Sequence, residues 1–291
     1  MATNYFDTEN ESSNVFGGTT QDQVNIQAEQ NDPNLIQVSI PEDRTPIIIL
    51  FGPPACGKTM IMIRLTRFLQ KLGYQVIPDG SFRPKYDKNY EELSNKDNFL
   101  DFINKEFAAG STNRISFMLL NVIKNGTTVC QILEAPGEHY HDPNNPSAQF
   151  PRYLHYIINT KNPKTWLIIN ELDWIDASKR SAYVNKIQAL KQHIGKRDSA
   201  IFVCNKIDKS IHVIDRASVN KKAAMRAFGQ QYSGIFTPFT RNGLFFKKKD
   251  YEFVPFSTGV YMKTDSGQIF VEGDDIYPRL LWNTLKRWYR L

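Results

Sequence analysis

Eight consecutive residues, Gly52-Pro53-Pro54-Ala55-Cys56-Gly57-Lys58-Thr59, fit the spacing G-x-x-x-x-G-K-[ST]. That spacing equips a chain to hold a run of phosphates. Gly52 and Gly57 permit a tight turn, while loop N–H groups and the start of the following helix face the anion. Lys58 supplies a point charge for the outer phosphate oxygens, and Thr59 offers a hydroxyl to Mg²⁺. Three further groups carry chemistry: Glu134-Ala135-Pro136-Gly137 with Glu138 and His139 behind it, Asn205-Lys206-Ile207-Asp208, and Ser257-Thr258-Gly259.

The elements that must position these groups can be read from the apolar pattern. Ile47, Ile48, Ile49, Leu50 and Phe51 form a run suited to a strand buried on both faces. From Gly57 to about Leu72, Ile61, Leu65, Phe68, Leu69 and Leu72 recur at helical spacing, and Gly73 stops the helix. Strand, glycine loop and helix in that order are the setting a phosphate-binding loop requires. A helix is expected from about Tyr90 to Ala109. Two β-rich runs over 114–124 and 127–134 flank Asn125-Gly126, a strong hairpin signal. Strands at about Thr165–Asn170 and Ala200–Cys204 alternate with helices at about Ala177–Ile194 and Ala217–Phe228, and a strand at Tyr251–Phe256 precedes a terminal helix at about Asp274–Tyr289. The expected fold class is α/β: a mostly parallel sheet covered on both faces, in three layers, with the hairpin adding one antiparallel strand.

With Asn205-Lys206-Ile207-Asp208 standing directly after a buried strand, the chain resembles the Ras-like and translation-factor (TRAFAC) class of P-loop GTPases, and a regulatory G-domain protein of bacterial type is the relative suggested. The resemblance covers roughly residues 46 to 291. It implies GTP or GDP with Mg²⁺ as ligands, the Asp208 carboxylate accepting from guanine, Asn205 tying the loops together, and the Lys206 stem packing on the base. Lys58 and the whole loop from Gly52 to Thr59, including Pro53, Pro54, Ala55 and Cys56, would cradle the phosphates. Glu134 stands where the family has a metal-binding Asp, and its extra methylene is a departure. Gly137 would meet the γ-phosphate. Thr112, with Ser111 as its neighbour, matches the switch threonine that joins Thr59 and Glu134 around the metal. Ser257 and Thr258 resemble the loop that contacts the guanine oxygen, with Gly259 in place of the family's Lys. The family's water-orienting Gln or His is replaced by Glu138, so His139 becomes the first candidate and Glu138 the second. Arg114 and Arg152 are near enough in sequence to act in cis. An arginine finger contributes about 10³ to 10⁵ in rate, so slow turnover accelerated by a protein partner is expected.

Composition bounds the rest. The net charge of +6 hides an asymmetry, since residues 1–45 hold eight acids and one base, leaving +13 on the remainder. That tail reads as a disordered acidic segment, followed by one G domain over 46–291 with expansions at about 74–111, 141–151 and 231–250. The long segment between Leu72 and Thr112 and the loop from His141 to Pro151 are where an effector would bind, while the 231–250 insertion has no assigned role. The basic body is accounted for by a polyanionic nucleotide more simply than by nucleic acid. No apolar run reaches the length of a membrane span, and the first residues lack a secretory or transit pattern, so a cytoplasmic location is expected. Cys56, Cys130 and Cys204 lack metal-ligand spacing and read as reduced core thiols. On the terminal helix, Tyr277, Leu281, Leu285 and Trp288 form an apolar stripe opposite Arg279, Asn283, Lys286 and Arg290, suited to packing on the sheet or to peripheral membrane contact.

Two other readings stay open. Leu167-Ile168-Ile169-Asn170-Glu171 resembles the metal-binding strand of AAA+ ATPases, with Asn205 as a sensor, although Asn170 replaces the metal-binding Asp. The third reading is a guanine-gated binding module without hydrolysis, suggested by Glu134 and the missing Gln.

Overall fold

The computed structural model describes residues 21–41, 44–104, 117–172, 174, 176–215, 218–242, 247–264 and 267–289. In chain order these form α1 (Gln21–Asn31), β1 (Ile47–Phe51), α2 (Lys58–Lys71), β2 (Gln75–Pro78), α3 (Lys88–Ser94), α4 (Lys96–Asn104), β3 (Met118–Lys124), β4 (Thr127–Glu134), α5 (Gly137–Tyr140), α6 (Arg152–Asn159) and β5 (Lys164–Glu171). There follow α7 (Ala177–Lys191), β6 (Ser199–Asn205), β7 (Val213–Asp215), β8 (Ser218–Val219), α8 (Lys221–Gln231), β9 (Thr240–Asn242), β10 (Lys247–Lys249), β11 (Glu252–Pro255), β12 (Gly259–Thr264), β13 (Gly267–Glu272) and α9 (Ile276–Tyr289).

Seven strands form one sheet in the order β11-β6-β5-β1-β4-β3-β2. β1 pairs in parallel with β4 and β5, β5 with β6, and β6 with β11. β3 pairs antiparallel with both β2 and β4, so it alone runs against the other six. This is the three-layer, mostly parallel α/β arrangement expected from the strand–helix alternation. Every residue of β1 is fully buried, as are Trp166 to Ile169 of β5 and Ile201 to Cys204 of β6, which is why these strands read as continuous apolar runs rather than alternating ones. Phe51 stacks among Tyr140, Phe150 and Tyr183. α2 is tied to the loop before α9 through the buried Arg64, whose guanidinium meets Asp275 at 2.6 Å and Glu272 at 3.3 Å. Parallel pairing sends the carboxyl ends of β1, β4, β5, β6 and β11 to one edge, and each chemistry-bearing group begins there.

Several expectations need correction. Residues 21–41, assigned by composition to a disordered tail, are ordered: the Glu29 carboxylate is buried in an ion pair with Arg83, also accepts from Tyr86 Oη at 2.5 Å, and Ile40 enters the core. A count of apolar residues misses order that comes from one buried ion pair. The helix expected over Tyr90–Ala109 is two helices broken at Asn95, which caps the first; residues 105–116 lie outside the described set. The helix expected from Ala217 begins at Lys221, because Asn220 caps its first turn by accepting from Ala223 N and the preceding residues form the β7–β8 hairpin. The 231–250 expansion carries the β9–β10 hairpin. β2 and the β12–β13 hairpin had no counterpart in the periodicity: β2 is only four residues long and sits at the sheet edge.

Candidate functional site

The loop leaving β1 is shaped by close approaches that exclude side chains. A Cβ on Gly52 would lie 2.6 Å from Cys56 Sγ and 2.8 Å from the Ile169 carbonyl oxygen. Gly57 adopts φ +89°, and a Cβ there would stand 2.4 Å from Asn205 Nδ2. Ala55 takes φ 60°, a left-handed conformation costly for a side-chain-bearing residue. Inside the turn, the buried Lys58 Nζ donates to the Pro53 carbonyl at 3.2 Å. Burial pushes the Cys56 thiol up to about 11, so it stays protonated and unreactive. All three cysteines are free and buried.

Three other segments converge on this loop. From β6, Asn205 Nδ2 donates to the Cys56 carbonyl at 2.9 Å, tying the segment that ends in Asp208 to the 52–59 loop. From β4, Glu134 Oε1 accepts from Thr59 Oγ1 at 2.9 Å, while its Oε2 is buried without a partner among the described residues. Burial lifts the Glu134 carboxyl to about 7, against the pull of the Lys58 charge and the Thr59 hydroxyl. Behind β4, a Cβ on Gly137 would fall 2.3 Å from the Pro54 nitrogen, so only glycine lets these two backbones touch.

The 205–208 segment turns sharply. Lys206 sits at φ 54°, ψ 33° and forms an ion pair with Glu171 at the end of β5. Asp208 is half-buried, and among the described residues its carboxylate receives no hydrogen bond. Phe256 N donates to Cys204 O at 2.8 Å and Ile207 N to Phe256 O at 3.1 Å, which brings the buried Ser257 and Thr258 against the same segment. Gly259 admits no side chain: at φ +133° its Cβ would lie 2.2 Å from the Val271 carbonyl oxygen of the β12–β13 hairpin.

His139 lies beside the site in a small aromatic group. Its Nδ1 is 2.9 Å from the Tyr153 hydroxyl, and burial together with the Lys58 charge lowers its pKa to about 4. Glu138 is exposed. Thr112, Ser111 and Arg114 lie outside the described residues. Arg152 is exposed at the start of α6. Asn170 is buried in β5 with neither side-chain polar atom partnered among the described residues.

The site thus brings together Gly52 to Thr59, Glu134, Gly137, Asn205 to Asp208, Ser257 and Thr258. Sequence reasoning missed Tyr153 and the role of Glu171. The second had a signal, since β5 and β6 pair Glu171 with Asn205, so both strand ends reach the same edge. Tyr153 had none: only the fold brings α6 against α5.

The donor set fits a divalent cation: the Thr59 hydroxyl and the Glu134 carboxylate, whose second oxygen is unpartnered among the described residues, suit a hard oxygen-seeking ion. Among the described residues there is no cluster of three or more His, Cys, Asp or Glu side chains able to hold a metal unaided.

No protein-family model and no curated protein matches the chain. Among solved structures it is similar to nucleolar GTP-binding protein 1 of Plasmodium falciparum, at 14% identity and TM-score 0.37 over 87% of this chain and 90% of that one. It is also similar to the Roco2 RocCORdC fragment of Methanosarcina barkeri bound to GDP, at 12% identity and TM-score 0.33, where the match covers 87% of this chain but only 52% of that one. Both likenesses are too distant to transfer the role of any residue.

Proposed function

We propose that the chain binds GTP and GDP with Mg²⁺ and hydrolyses GTP slowly, as a switch governed by a protein partner. The observation that carries this reading is the hydrogen bond from Asn205 to the Cys56 carbonyl. It holds a half-buried, unsatisfied Asp208 carboxylate at a fixed place relative to a phosphate-binding loop. A carboxylate so placed selects a purine edge offering two donors, which guanine has and adenine lacks.

In this reading the Gly52–Thr59 loop grips the phosphates, Lys58 neutralises the outer oxygens, and the Lys206 stem packs on the base under the restraint of Glu171. Thr59 and Glu134 would hold Mg²⁺, with Thr112 proposed as a further ligand. The cation supplies charge neutralisation to the phosphates. Gly137 would meet the terminal phosphate, and His139 is the residue proposed to act on the attacking water, with Glu138 second. Effector contact is proposed for the expanded segments. No described helix is long and apolar enough to cross a membrane.

The ATPase alternative needs a metal carboxylate at the end of β5. The Glu171 carboxylate is engaged by Lys206, and the carboxylate touching Thr59 comes from β4. Binding without hydrolysis keeps one supporting observation, the exposed Glu138.

The deciding experiment is titration with fluorescent GDP and ADP analogues. GDP should bind and ADP should not, and Asp208→Asn should lose guanine affinity and gain xanthine nucleotides. Unchanged GDP binding in that variant would remove the basis for the base assignment.

A further inference from the structure

His139 has two ring nitrogens, and one of them is accounted for: Nδ1 lies 2.9 Å from the Tyr153 hydroxyl. A neutral imidazole carries its proton on one nitrogen, and the partner of the other decides which. Burial and the Lys58 charge keep this ring neutral. Tyr153 projects from α6 and is 2% exposed, and burial raises its phenol pKa so that it keeps its proton. Among the described residues the phenolic oxygen has no hydrogen-bond partner besides His139. An O–H buried without an acceptor is strongly disfavoured, so the phenol donates to Nδ1 and the imidazole proton resides on Nε2.

The surroundings hold this pair in one arrangement. Phe117 packs edge-on against Tyr153, with ring centroids 5.0 Å apart, and against His139 at 6.3 Å. The Arg83 guanidinium covers Phe117 at 5.3 Å, and Arg83 is itself fixed by Glu29 and Asp87.

We infer that Tyr153 is a positioning residue that fixes His139 as its Nε2–H tautomer, so that the other ring nitrogen is a hydrogen-bond donor rather than a base. An Nε2–H can hold a phosphate oxygen or the oxygen of a water. It cannot accept the proton of that water. The functional part of this inference rests on the GTP reading; the tautomer does not.

The test is a long-range ¹H–¹⁵N spectrum of the ¹⁵N-labelled full chain near neutral pH, with the His139 signals identified by their loss in His139→Gln. The expected pattern is that of Nε2–H. Tyr153→Phe keeps the ring and removes the donor, so the His139 signals should shift toward a mixture containing Nδ1–H. Single-turnover GTP hydrolysis should fall about tenfold with GDP affinity unchanged, the scale seen when an outer hydrogen-bond partner of a functional histidine is removed. An Nδ1–H pattern in the unsubstituted protein, or signals indifferent to Tyr153→Phe, would overturn the inference. Absence of GDP binding in the unsubstituted protein would instead sink the nucleotide reading, and the spectrum would still decide the tautomer.

Discussion

Thr59 and Glu134 are 75 residues apart in the chain and share a hydrogen bond of 2.9 Å. Thr59 lies in the first turn of α2 and Glu134 ends β4, and the parallel pairing of β1 with β4 makes them neighbours. The Glu134 side chain is long enough to reach the Thr59 hydroxyl directly. Glu134→Gln preserves size and removes the charge. It should raise the Mg²⁺ concentration needed for tight GDP binding by about tenfold or more, on the scale of losing a ligand or its support. Titration of a fluorescent GDP analogue across MgCl₂ concentrations measures this, and an unchanged requirement would exclude Glu134 from the proposed Mg²⁺ site.

The raised pKa of Glu134 also makes a claim about stability without ligand. Its folded value of about 7 lies above the ordinary 4.5, so the folded state binds this proton more tightly than the unfolded one. The stabilisation is full below about pH 4.5 and is lost as pH rises through 7, amounting to about 3 kcal/mol. Chemical denaturation of the nucleotide-free protein should show this decline relative to Glu134→Gln. Parallel pH dependences for the two proteins would show that the carboxyl is not held protonated.

His139 acts with the opposite sign. Its folded pKa of about 4 lies below 6.5, so its neutral form contributes stability above pH 6.5 that is lost as pH falls through 4, again about 3 kcal/mol at most. His139→Gln should be less sensitive to acid over that window in urea unfolding. Equal acid sensitivity would mean that the ring titrates freely.

The ion pair between Lys206 and Glu171 is half-exposed, and pairs of that kind contribute about 1 kcal/mol or less. Glu171→Gln should weaken GDP binding about threefold while leaving the melting temperature within experimental scatter. A loss as large as that of Asp208→Asn would assign Glu171 a direct role at the base.

Removing the Glu29 carboxylate leaves Arg83 buried with Asp87 and the Gln37 carbonyl as its remaining partners. Glu29→Ala should destabilise the protein by about 2 to 4 kcal/mol, since the buried Arg83 loses one of its two carboxylates and the Tyr86 hydroxyl loses its acceptor. Limited proteolysis should then cut within residues 21–41, where the parent protein resists. A resistant variant would show that other contacts hold the segment.

How much of this could be read from the residues alone differs from element to element. β1, β5 and β6 were legible because burial on both faces leaves an unbroken apolar run, and the loop at 52–59 because glycine and lysine spacing is dictated by backbone geometry. The β3–β4 hairpin was legible because Asn125 and Gly126 both take positive φ, which few residue pairs tolerate. The ordered segment at 21–41 was not: its anchor is one carboxylate paired with an arginine far along the chain, and no local pattern encodes a long-range ion pair. The His139–Tyr153 pair failed to show for the same reason. Gly259 illustrates a third case, where the residue looked like a defect in a motif until the neighbouring hairpin showed that nothing larger fits.

The backbone contact between Gly137 and Pro54 has a mechanical consequence. With room for no atom between them, whatever moves the 52–59 turn toward residue 137 must push that residue along with it. α5 is a single short turn starting at that residue, so the push is delivered to the His139 imidazole within two residues. Occupancy of the turn and the attitude of the ring would then move as one lever, with the Tyr153 hydroxyl as its stop.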